Sequence, residues 1–277
     1  MSGSSLPAWS EELTPGRLRP VGRTGLVSVD RARAFGDGRG TGVRVAVVDS
    51  GVDADHPAVG GLAGGVAVEV DADAPDGIRL VEGPHEDRYG HGTACAGIIR
   101  SLAPGCELYS VRVLGASLRG RSSVFAAGLE WAVENGMQVV NLSLSTKNPA
   151  TLAYFHDLVD RAVFAGVMLV CAVNNVRAPS YPSLFSGVFS VAATEDRDPE
   201  RFVANPAPPV DLGAPGIDVE VAWADGGWLV ATGNSFAAPH VAGHLARLVA
   251  THPGITVAEA KAVLRALAAN ATGSPDR

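Results

Sequence analysis

Asp49, His91 and Ser235 lie far apart in the chain, yet each stands among small residues that let a backbone approach closely. Asp49 ends the apolar run Val45-Ala46-Val47-Val48 and precedes Ser50-Gly51. A carboxylate there can hold a neighbouring imidazole in one tautomer and stabilise its cation. His91 lies in Tyr89-Gly90-His91-Gly92-Thr93, and imidazole takes and returns a proton near neutral pH. Ser235 lies in Gly233-Asn234-Ser235-Phe236-Ala237-Ala238-Pro239-His240. A serine hydroxyl attacks only with a base beside it. At a helix start, the dipole and the exposed N–H groups favour developing negative charge. Acyl transfer is the chemistry such a set would do. Each residue also has a plainer reading: a turn-capping Asp, a helix-start His, an N-cap Ser.

The elements that must position them follow from hydrophobic pattern. Val43–Val48 is a continuous apolar run bounded by Gly42 and Asp49, as expected of a strand buried on both faces of a parallel sheet. Similar runs occur at Leu108–Leu114, Met137–Leu144, Val167–Val173 and Val188–Ala193. Helical patterns at Ser122–Asn135 and Thr151–Ala165 lie between them and stop near Gly136 and Gly166. Alternation of this kind predicts βαβ units and a mainly parallel sheet, an α/β fold. In such sheets chemistry gathers at the carboxyl ends of strands, where Asp49 stands. Asp196–Trp228 reads as looser. Helices are expected at Ser235–Thr251 and Val257–Asn270. Residues 1–21 read as a mobile N-terminal arm and residues 22–277 as one catalytic domain.

Composition narrows the function classes. The chain has 277 residues, 47% of them hydrophobic, enough to bury a core without covalent staples. Its net charge of −7 and lack of a basic stripe argue against nucleic acid as a partner. The three cysteines, Cys95, Cys106 and Cys171, have neither disulfide nor zinc spacing. No signal-like start and no membrane-length apolar run is present, so no membrane partner and a cytoplasmic address are expected. Arg is plentiful while Lys occurs only at Lys147 and Lys261, a usage expected of a GC-rich bacterial genome.

The three segments together resemble the subtilisin family. Asp49-Ser50-Gly51, His91-Gly92-Thr93 and Gly233–His240 match its motifs in its order of Asp, His and Ser. The likeness runs from about Gly25 to about Leu267, through Ser110-Val111-Arg112-Val113-Leu114-Gly115, Tyr181-Pro182-Ser183 and Ala214-Pro215-Gly216. It implies a three-layer α/β/α sandwich around a mainly parallel central sheet, and a serine endopeptidase that needs no cofactor or metal. It implies Asn175 as the side-chain donor to the oxyanion. A peptide or protein substrate would lie extended, adding a strand to edges at Ser117-Leu118-Arg119-Gly120 and Leu142-Ser143-Leu144-Ser145, with Asn174 beside them.

The departures from the family pattern carry further expectations. Asn174 replaces Gly, and Asn234 replaces Thr, so a secondary oxyanion donor is either an amide or lost. Ser145-Thr146-Lys147 replaces a Gly-Gly-Pro-like wall, which predicts selective cleavage. The short stretch Ile98–Ala103 leaves no room for a calcium loop. Asp71, Asp73, Asp76 and Glu82 fail the EF-hand pattern, because Pro75 and Gly77 are misplaced. Cys95, four residues after His91, resembles the thiol of the proteinase-K-like branch but reads first as a small buried residue. The arm Leu6–Pro20 is expected to lie in the active site until clipped, as intracellular members without a long prodomain would allow.

The competing readings are a cytoplasmic maturation protease trimming a precursor or leader peptide, and a pseudoprotease that binds peptides without cutting. An esterase with a nucleophile elbow is excluded by Ala237 and by the order of the three residues. The glycines Gly36, Gly38, Gly40 and Gly42 precede their strand, which excludes a dinucleotide site.

Overall fold

The computed structural model describes residues 6–18 and 29–271. The short helix α1 (Arg31–Phe35) leads into β1 (Arg44–Asp49), β2 (Gly64–Val70) and β3 (Ile78–Glu82). Next come α2 (His91–Leu102), β4 (Glu107–Arg112), α3 (Ser122–Glu134), β5 (Val139–Leu142), α4 (Leu152–Phe164) and β6 (Met168–Ala172). The chain continues through β7 (Phe189–Thr194), β8 (Val203–Ala204), β9 (Leu212–Pro215), β10 (Val219–Trp223) and β11 (Gly227–Ala231). It closes with α5 (Asn234–Thr251) and α6 (Val257–Leu267).

Nine strands form one sheet in the order β3-β2-β4-β1-β5-β6-β7-β9-β8. Every pairing from β2 to β9 is parallel, and the outermost strands β3 and β8 run antiparallel. β10 and β11 make a separate hairpin. The strand residues alternate between two cores, as a period of two requires. Val45 and Val47 pack with Ile99 of α2, Leu245 and Leu248 of α5 and Leu264 of α6. Ala46 and Val48 pack on the other face with Phe125 and Leu129 of α3 and Phe155 and Leu158 of α4. The result is the expected three-layer α/β/α sandwich. Among the described residues, no helix is long and apolar enough to cross a membrane.

Several expectations need correction. Asp196–Trp228, read as loose, contains β8, β9, β10 and the start of β11. Their strands are short or exposed, so no long apolar run announces them. β2 and β3 were not expected, because Gly64-Gly65 and the charged β3 break the pattern of buried strands. The last helix ends at Leu267 rather than Asn270. Residues 6–18 are not a loose arm. They make a 3-10 turn at Ser10–Leu13, and Leu13 is buried against Val173, Ala192, Val203 and Val210. The boundary at residue 21 lies outside the described residues.

The α3–α4 layer rests on an aromatic pair: Phe155 is fully buried, with its ring centroid 4.7 Å from that of Phe125. Phe155→Ala should therefore cost about 3–5 kcal/mol of stability, from lost transfer energy and the cavity left behind. Urea denaturation measures it, and a cost near zero would mean this layer does not hold the fold.

Candidate active site

Parallel pairing fixes where the chemistry can gather. Asp49 is the last residue of β1, flanked by β4 and β5, and its side chain is fully buried. Its backbone carbonyl accepts from the N–H groups of Val113 and Leu114, which anchor the start of the 113–120 segment. One carboxylate oxygen accepts from the Ser50 N–H at 2.8 Å. Both carboxylate oxygens lie 2.9 Å from His91 Nδ1. Nδ1 therefore carries the proton toward Asp49, which leaves Nε2 free to act as the base.

His91 opens α2 under tight steric limits. A Cβ on Gly92 would come within 1.9 Å of the Gly51 carbonyl oxygen. The Asp-Ser-Gly turn and the Gly-His-Gly turn thus interlock, and only glycine permits the fit. Asp87 completes the joint. Its carboxylate accepts from Ser50 Oγ at 2.7 Å, from the Gly90 and Thr93 N–H groups at 2.8 Å each, and from Thr93 Oγ1 at 2.6 Å. It satisfies the orphan donors at the head of α2 and ties them to the turn after Asp49. Sequence reasoning missed Asp87. The signal was present, as an Asp shortly before a helix start.

Burial is the largest single influence on His91 and disfavours its cation, but the Asp49 carboxylate and, after it, Cys95 together outweigh that penalty and hold its pKa well above the ordinary 6.5. Its ring also packs on Phe236, with centroids 5.3 Å apart. Cys95 is fully buried beneath the site, with Sγ 3.3 Å from Ser143 Oγ and 3.9 Å from Asp49 Oδ2. Burial raises its pKa and keeps it a thiol.

Ser235 is the second residue of α5, so its N–H is one of the unpaired donors of the helix end. No hydrogen bond joins Ser235 Oγ to the His91 ring, but both line one cavity of about 290 Å³ with Asn174 and Asn175. The Ser235 carbonyl accepts from Ser143 Oγ at 2.8 Å, and Ser143 Oγ in turn accepts from Asn141 Nδ2 at 3.0 Å. Asn175 is exposed, and its Oδ1 accepts from the Asn234 N–H at 3.0 Å. With the oxygen so committed, its Nδ2 is the end that faces outward as a donor.

Asn234 does not supply a secondary oxyanion donor. Its side chain is fully buried and turned into the fold. Oδ1 accepts from the Ala193 N–H at 2.9 Å, while Nδ2 lies 3.1 Å from the carbonyls of Val173 and Ala8 and 3.3 Å from that of Asn174. The larger amide reaches partners that a Thr hydroxyl could not serve together. Through it α5, β7, the 173–175 segment and the N-terminal arm share one polar node.

The expected substrate edges divide. Leu118, Ser143, Leu144 and Ser145 line the catalytic cavity with Asn174. Leu142 does not, because its side chain is fully buried among α3 and α4 residues. Ser117 is exposed outside it, and Arg119 and Gly120 line a neighbouring hollow instead. No described residue of the arm lines the cavity; Ala8 stands beside it, its N–H donating to the Asn175 carbonyl at 2.8 Å. Asp49, His91 and Cys95 could together reach a soft cation, but each is already bonded within the site.

Known proteins share the sequence pattern and the fold. The sequence profile of the Subtilase family matches residues 40–277. A thermostable alkaline protease of Halalkalibacterium halodurans is 34% identical over 229 residues, covering 78% of this chain and 59% of that protein. Subtilisin BL of Lederbergia lenta is 36% identical over 227 residues, covering 77% of this chain and 78% of that protein. A crystal structure of a cold-adapted subtilisin-like serine proteinase superposes with a TM-score of 0.66 at 26% identity, covering 87% of this chain and 86% of that one.

The His91 environment sets a pH prediction. A base accepts a proton only when neutral, so kcat/KM should fall as pH drops through a value above 6.5. Asp49→Asn removes the largest influence that raises that value. Its acid limb should move to lower pH, and kcat should drop by about 10⁴-fold. Rate profiles of both forms check this; an acid limb that stays in place would show that Asp49 does not set the basicity of His91.

Proposed function

The chain belongs to the subtilase family of serine endopeptidases, and we propose that Asp49, His91, Ser235 and Asn175 are its cutting machinery. The observation that carries this reading is the His91 ring, bonded through Nδ1 to both oxygens of a buried Asp49 in a cavity shared with Ser235 and Asn175. His91 Nε2 takes the Ser235 Oγ proton as that oxygen attacks a peptide carbonyl. The charge that develops on the carbonyl oxygen is held by Asn175 Nδ2 and the Ser235 N–H. His91 then gives its proton to the leaving amine, and the acyl group stays on Ser235. Water, activated by the same imidazole, releases the acyl group and restores the serine. Asp49 orients the ring and stabilises its cation throughout.

The substrate is a peptide or protein segment held extended between the edges at 117–120 and 143–145. Selective cleavage is the finer reading. The wall at Ser145-Thr146-Lys147 carries side chains, and it is braced by paired backbone bonds between Thr146 and Tyr181 and by Ser122 Oγ at 2.9 Å from Thr146 Oγ1. A braced wall does not widen easily for bulky groups. Trimming of a precursor or leader peptide is a narrower form of the same function. The joined Asp49 and His91 favour cutting over peptide binding alone.

The arm is a strut in this reading rather than a plug. Ala8 bonds both the Asn175 carbonyl and Asn234 Nδ2, and Trp9 stacks under Arg177, which also pairs with Glu12.

Casein digestion tests the machinery. Ser235→Ala should abolish cleavage, and Asn175→Ala should lower kcat by about 10²–10³-fold. Comparable digestion by Ser235→Ala would overturn the assignment. Removal of residues 1–18 should lower kcat more than it changes KM, because the oxyanion segment loses a support. A rise in activity would instead make the arm an inhibitor.

A further inference from the structure

A second hollow adjoins the catalytic cavity. Its volume is about 430 Å³, and Leu114 lines both spaces. The segment 115–120 separates them. The charged lining of the hollow is Glu69, Arg88, Arg112, Arg119 and Arg121. On a chain of net charge −7 this is a local reversal of sign.

The nearby acids are already engaged. The buried Arg112 donates to Glu86 at 3.0 Å and to Glu69 at 3.3 Å. Glu69 also pairs with Arg79 at 3.0 Å, and Glu86 with Arg88 at 3.6 Å. The pull of Arg112 holds the Glu86 carboxyl below its ordinary range, so it stays charged and occupied. Arg119 and Arg121 are different. They are exposed at the mouth, and neither guanidinium has an ion pair or side-chain hydrogen bond among the described residues. A guanidinium presents a planar fork that fits a carboxylate in two-point contact.

The geometry of an extended peptide connects the two spaces. Successive side chains of a strand point to opposite sides. If the residue that supplies the scissile carbonyl fills the catalytic cavity, its predecessor, the second residue on the amino side of the cut, turns the other way. The fourth residue points the same way as the second.

We propose that this hollow is a substrate subsite for an acidic side chain, Asp or Glu, at the second or fourth residue on the amino side of the cut, received by Arg119 and Arg121. The inference rests on the proposed peptidase reading and names the substrate class that reading leaves open.

The test uses internally quenched peptides built on a cut site mapped in casein by mass spectrometry. They carry Glu or Gln at the second, third or fourth residue before the cut. Glu at the second or fourth position should raise kcat/KM about fivefold over Gln, mainly through KM, and added salt should narrow the gap. Glu at the third should not. In Arg119→Gln/Arg121→Gln the Glu-to-Gln ratio should fall to about one, a readout that a change in folding would not move. Equal cleavage of all pairs by the unaltered protein would overturn the subsite and leave the peptidase reading intact. Binding of the same peptides to Ser235→Ala, followed by fluorescence polarisation, separates the two claims. Tighter binding of the Glu peptides supports the subsite even if no peptide is cut, and equal binding there overturns it.

Discussion

A carboxylate with no exposure to water must be paired or hydrogen-bonded, and Asp49 is such a group. Its oxygens take the Ser50 N–H and His91 Nδ1. That requirement organises much of the molecule. His91 can reach the pair only if the turn after β1 and the head of α2 nearly touch. Gly51 and Gly92 allow the approach, and Asp87 locks it by serving donors on both sides. The burial that makes Asp49 demanding also makes it effective, since the same dry surroundings strengthen its hold on the imidazolium. A buried pair that lost one partner would leave an uncompensated charge, so the joint serves stability and chemistry together.

Ser235, the proposed nucleophile, is positioned from the opposite side. α5 begins at Asn234, and its first side chain reaches back into β7 and the 173–175 segment rather than forward to the cavity. The backbone N–H of the same residue fixes Asn175 Oδ1. Ser143 and Asn141 secure the Ser235 carbonyl from β5 and the loop after it. Ser235 and Asn175 are therefore held as one unit, which suits the proposed reaction, in which both act on the same carbonyl. The arm enters this unit through Ala8, so a segment outside the sandwich contributes to the geometry of its centre.

The central strands were legible because strands buried on both faces leave unbroken apolar runs, as at Val45–Val48 and Met168–Ala172. α3 and α4 were legible from their apolar stripes and glycine stops. The strands β2, β3, β8, β9, β10 and β11 were not, because their pairing comes from neighbours rather than from a run of their own. Motif spacing singled out Asp49, His91, Ser235 and Asn175, which the fold brings close together, but not the side chains that hold them. Asn234 looked like a substituted donor, since no sequence shows that four partners lie within reach of its amide. Leu142 looked like part of the substrate edge, yet strand alternation turns it into the core while Ser143 faces the cavity.

The central claim is that the joined Asp49 and His91 activate Ser235. Labelling with a fluorophosphonate probe, read by intact mass, tests it most directly, because only an activated serine with a working oxyanion site forms the adduct quickly. The account predicts a single adduct on the unaltered protein, lost in Ser235→Ala and strongly slowed in His91→Ala. Absence of an adduct on the unaltered protein, or an undiminished one in Ser235→Ala, would contradict it.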